Sequence, residues 1–145
     1  EFEKALISYQ ELLKKQSGNS FYFQKTIDCY QQLLQFDVAE KAIQERYEKF
    51  KQGYLLVEWG ANAQLQKQDD KAKMYFEQAI EKVKENPNEV YSVASTFEKK
   101  VLIDYALQAY EIAIALEPKF NFNFLCFFQN ENYILSISKE LFVCL

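Results

Sequence analysis

The sequence predicts an all-α fold of stacked antiparallel helical hairpins. Three observations carry this. The 145 residues contain only 3 Gly and 2 Pro, too few turn formers for a fold of many short strands. Apolar residues recur at helical spacing along most of the chain. One such stripe, led by an alanine, returns at intervals of 34, 33 and 34 residues.

The stripe is read at four places. Ala5, Tyr9 and Leu12 form the first, and Ala39, Ile43 and Arg46 the second. Ala72, Phe76 and Ala79 form the third, and Ala106, Tyr110 and Ala113 the fourth. Positions i, i+4 and i+7 share one face of a helix. The small residue lets a second helix approach, and the large one fills the groove beside it. Arg46 alone breaks the apolar pattern.

Between the stripes lie partner helices, predicted over Phe21 to Gln32, Tyr54 to Gln66 and Glu89 to Lys100. Phe23, Ile27 and Tyr30 give the first its apolar face. Leu56, Trp59 and Ala63 serve the second, and Val90, Val93, Ala94 and Phe97 the third. Residues 1–16 supply only the second helix of a hairpin, ending at the turn Ser17-Gly-Asn-Ser20. The uncovered face of Phe2, Ala5, Tyr9 and Leu12 implies further repeats ahead of Glu1. Asp69 and Asp70 are expected to cap a helix starting near Lys71.

Composition narrows the function. Apolar residues make up 49% and charged residues 26%, as in an ordinary globular domain. The net charge of -4, with Lys and Arg interleaved among Asp and Glu, argues against a nucleic-acid partner. The absence of histidine removes the usual catalytic base and the commonest metal ligand. Cys29, Cys126 and Cys144 are odd in number and widely spaced, unlike a disulfide framework or a zinc site. Cys29 has no histidine to activate it. Phosphate-binding glycine loops are absent. No catalytic, cofactor or metal role is expected, and no apolar run is long enough to span a membrane.

Residues 1–118 resemble the tetratricopeptide repeat, a helical hairpin of 34 residues. The closest unit runs from Pro87 to Pro118, with Ala94, Ala106, Tyr110 and Ala113 at matching places. Gly60 occupies the family's small position in the second partner helix. The sequence departs from the family at Ile27, which fills that small position, at Trp59, which sits three residues late, and at the hairpin turns. There Leu34-Gln35, Lys67-Gln68 and Val101-Leu102 replace the usual glycine. The resemblance divides the chain into a half repeat 1–19 and repeats 20–52, 53–86 and 87–120. It implies a right-handed superhelix, and a bacterial style of repeat protein in the cytoplasm or cell envelope. Residues 119–145 fall outside the pattern, with five phenylalanines between Phe120 and Phe128. They fit a divergent helical pair closing the array, an apolar extension, or a terminus from a shifted reading frame.

The resemblance also implies a concave groove lined by the first helices, holding a protein or peptide partner. Its residues here are Phe21, Gln24, Asp28 and Gln31, then Tyr54, Glu58, Ala61 and Gln64, then Asn88, Tyr91, Ser95 and Glu98. No Lys or Arg is among them, which disfavours capture of a C-terminal carboxylate. A neutral or basic peptide with apolar anchors fits better. The alternatives are a spacer with no groove ligand, or a regulatory segment of a larger multidomain protein. The exposed half repeat and the Phe-rich tail also fit a homodimer through the ends.

Overall fold

A computed structural model of the chain describes residues 1–117. The tail reading of 119–145 lies outside those residues. The described part is all helical. It comprises α1 (Phe2–Lys15), α2 (Ser20–Gln32), α3 (Phe36–Phe50), α4 (Tyr54–Leu65), α5 (Asp69–Val83), α6 (Pro87–Lys99) and α7 (Ile103–Leu116).

The helix starts follow from local chemistry. Asn19 caps α2, its side chain accepting from the Tyr22 N–H at 3.2 Å. Asn86 caps α6, accepting from the Asn88 N–H at 3.1 Å, and Pro87 fills the first helical position. Asp69 and Asp70 differ from expectation. Gln68 is the cap residue of α5 and makes no side-chain cap bond, while both aspartates lie within the first turn. Their carboxylates act there on the positive end of the helix rather than as caps.

The hairpin turns are three copies of one structure. Leu34, Lys67 and Val101 adopt φ of 58°, 59° and 60°, the left-handed region. Around each, the next N–H reaches back five residues: Gln35 to Tyr30, Gln68 to Ala63 and Leu102 to Phe97, at 2.8, 3.0 and 2.9 Å. The left-handed residue itself donates three residues back, to Gln31, Gln64 and Glu98. This pair of bonds defines the Schellman motif, which favours glycine. Here the bonding pattern imposes the conformation on residues that dislike it.

Close packing explains the small residues. A Cβ on Gly60 would lie 2.3 Å from the Phe76 ring and 3.0 Å from the Ala72 carbonyl oxygen. The stripe of α5 therefore presses directly on the α4 backbone. Ile27 replaces the small residue in α2, and α2 approaches α3 over a shorter stretch than α4 approaches α5. Arg46, the odd member of its stripe, is buried and serves the preceding turn. Its guanidinium donates to the Ser17 and Gly18 carbonyls at 2.8 and 3.1 Å and to the Tyr54 hydroxyl at 3.0 Å. It also lies 4.5 Å from the Phe23 ring centre.

The core forms two adjoining clusters. One joins Phe23, Ile27, Ala39 and Ile43 to Tyr54 and Leu55. The other runs from Leu56 and Phe76 through Phe97 to Tyr110. Both draw on α4, which is buried on nearly every side. Trp59 stacks on Tyr75 at 4.8 Å and donates its indole N–H to Glu40, which also pairs with Lys71 at 2.8 Å. At the other extreme, α1 contains no buried residue.

Candidate functional site

The predicted groove residues sit on α2, α4 and α6. Their positions lie where successive first helices meet, and this decides their surroundings. On α4, the expected surface residues Tyr54, Glu58 and Ala61 are buried, as is Gln31 on α2. Tyr54 belongs to the core and bonds Arg46. It therefore offers no surface to a ligand. Gln64 is exposed near the end of α4. Phe21 is exposed and packs edge-on to Tyr22 at 5.8 Å.

Polar contacts fill the seam. Gln24 donates to the Thr96 hydroxyl at 3.1 Å, directly linking α2 to α6. One turn further, Lys100 Nζ lies 2.7 Å from Asp28 Oδ1 and 2.9 Å from Glu58 Oε2. Gln31 donates to Asn62 at 3.4 Å, and Asn62 donates in turn to the Phe36 carbonyl at 3.1 Å. Glu89 adds a link at the N-terminal end, accepting from the Gly53 N–H at 3.0 Å. The seam thus clasps α2, α4 and α6 together.

The electrostatics of the clasp are asymmetric. Burial pushes the Glu58 carboxyl above the usual carboxylate range, with Lys100 partly offsetting it. Burial works against the charge of Lys100, but Glu58 and Asp28 outweigh it and hold the ammonium pKa above its ordinary value. Asp28 also pairs with Lys25 at 3.3 Å. The carboxylates of Asp28 and Glu58 are therefore paired from within the seam.

The remaining predicted residues lie on α6. Asn88 and Glu98 are exposed, and Tyr91 and Ser95 are half-buried. Glu98 accepts from the Tyr110 hydroxyl at 2.7 Å. Tyr91 packs its ring against the larger core cluster, so Asn88 and Glu98 are the open members of this face. Sequence reasoning missed Lys100, Thr96 and Asn62. One signal was available: a glutamate inside the apolar run Tyr54 to Trp59 requires a cation nearby. Spacing gives no means of choosing which lysine.

The seam's contacts hold its three helices together. Burial pushes the Cys29 thiol pKa up, away from the thiolate. Among the described residues, no group of three or more His, Cys, Asp or Glu could hold a metal ion. None of the described helices is long and apolar enough to cross a membrane. Compared with models of known protein families the sequence matches none, and comparison with curated proteins gives no match.

Proposed function

We propose that the chain is a protein-interaction module of tetratricopeptide-like hairpins, binding a peptide or partner helix on its first-helix side. The observation that carries this is the threefold recurrence of one hairpin turn at Leu34, Lys67 and Val101. Identical turns at that interval support a stack of like hairpins, right-handed in the resembled family, and stacks of this kind present extended binding faces. The clasp redirects the reading toward the α6 end of that side. Tyr91, with Asn88, Ser95 and Glu98 beside it, offers an aromatic anchor with amide, hydroxyl and carboxylate neighbours. A neutral or basic peptide with an apolar anchor matches that chemistry.

Panning a random-peptide library against the protein tests this. Selected peptides should lose affinity at least tenfold on Tyr91→Ala, with helicity unchanged. Affinity unchanged by that substitution places the contact elsewhere and removes the reading. A second reading has its own support. Because Asp28 and Glu58 already hold Lys100, the seam resembles the interior of a spacer with no ligand in its groove. A library yielding no specific peptide favours that spacer.

A further inference from the structure

We propose that the groove between α3 and α5, on the second-helix side, docks a short acidic peptide through a large apolar side chain and the carboxylate beside it. The groove lies in the middle of the chain and owes nothing to either end. Its floor is Leu56 of α4, the helix on which both α3 and α5 pack. Tyr47 of α3 and Met74 of α5 give it apolar walls. Its volume is about 580 Å³, within the range of pockets that take a small ligand or a large side chain.

The apolar part is open and held in place. Met74 is 44% exposed, while Phe76 on the buried face of the same helix is 2% exposed. Tyr47 is half-buried, and its ring sits edge-on to Trp59 at 6.2 Å. A lone exposed methionine would be ordinary. One that shares a groove with a fixed aromatic ring is a platform for an apolar side chain, and a ring already ordered loses little freedom on being covered.

The charges select the occupant. Glu77 and Glu81 on the α5 wall are already paired, with Lys73 at 3.8 Å and with Lys84 at 2.5 Å. Lys51 and Lys82 are not. Their ammonium groups lie 5.2 and 6.0 Å from the centre of the Tyr47 ring, one from the residue that ends α3 and the other from α5. Among the described residues neither has an ion-pair partner. Two like charges at one ring, with no anion beside them, attract a carboxylate. The Gln78 amide in the same groove makes no hydrogen bond among the described residues and can meet a peptide backbone. The chemistry is therefore opposite in sign to that proposed for the first-helix side. So small a contact should bind with a dissociation constant of about 100 μM.

Fluorescence anisotropy of the full chain with a labelled, end-blocked peptide of alternating aspartate and leucine tests this. Binding should saturate, and a peptide with serine in place of leucine should bind about tenfold more weakly or worse. Lys51→Glu/Lys82→Glu should weaken binding at least about tenfold, while Lys51→Arg/Lys82→Arg should keep it within about twofold. Lys4→Glu/Lys15→Glu makes the same change in net charge on exposed positions of α1 and should leave binding unchanged. Tyr91→Ala should also leave it unchanged, so this groove and the first-helix side fail separately. Circular dichroism of each variant checks that the helices remain, and the serine peptide needs no variant at all. Absence of saturable binding overturns the proposal. So does equal affinity for the serine peptide, which would leave charge alone at work, or an equal loss from the reversals on α1 and in the groove.

Discussion

Val101 holds a left-handed φ of 60° while being 73% exposed, so nothing is gained from its side chain to offset the strain. A β-branched residue is poorly suited to that conformation. Val101→Gly should stabilise the protein by about 1 kcal/mol, the strain relief exceeding the entropy glycine adds to the unfolded chain. Equilibrium denaturation measures this, and a destabilised variant would contradict the turn geometry. Gly60→Ala should go the other way despite alanine's better helix propensity. The methyl would displace the Phe76 ring from its contacts with Phe97 and Tyr105, costing about 1–3 kcal/mol. Arg46→Ala removes three donated bonds, one of them to the buried Tyr54 hydroxyl, and should cost about 2–4 kcal/mol. Lysine should not rescue it, because one ammonium cannot span both carbonyls and the tyrosine. The alanines and Gly60 were legible in the sequence because close helix approach admits few residue types. Arg46 was legible only as an exception, since its partners Ser17 and Gly18 lie a whole unit away in the chain.

Between elements, the clasp of Asp28, Glu58 and Lys100 decides how the first helices respond to charge. Lys100→Met strands the buried Glu58 carboxylate and should cost about 3–5 kcal/mol near neutral pH. The sign of its pH dependence follows from Glu58. With its folded pKa raised above the unfolded value, stability is fully present below the unfolded pKa and falls as pH rises through the folded one. The variant should therefore recover part of its loss between pH 7 and about 5, read by denaturation at both pH values. At the alkaline end, Lys100, Tyr54 and Tyr110 all have raised pKa values, Tyr110 through burial and its bond to Glu98. Each contributes stability that is lost above about pH 10, and Tyr110→Phe should flatten part of that loss. The helices themselves were well predicted, to within a residue or two at most ends. The groove was less so. Helical spacing identifies which residues share a face, but it does not say what that face meets. For Tyr54, Glu58 and Ala61 the neighbours are α2 and α6 rather than solvent.

At the scale of the whole described region, protection should radiate from the middle. α4 is enclosed by neighbours, and α1 buries no residue. Amide exchange should be slowest in α4 and fastest in α1, and the reverse order would contradict this packing. Trp59, stacked on Tyr75 beside that centre, makes intrinsic fluorescence a probe of the same event. The seam has one more implication, which is mechanical. A stack whose units touch only their neighbours bends and stretches like a spring, each joint yielding independently. Here Gln24 reaches Thr96 and Asp28 reaches Lys100, so the first unit is tied to the third across the second. Tension that pulls α2 and α6 apart would load these ties first. Residues 20–100 should accordingly resist extension as one stiff block, with α1 peeling away first.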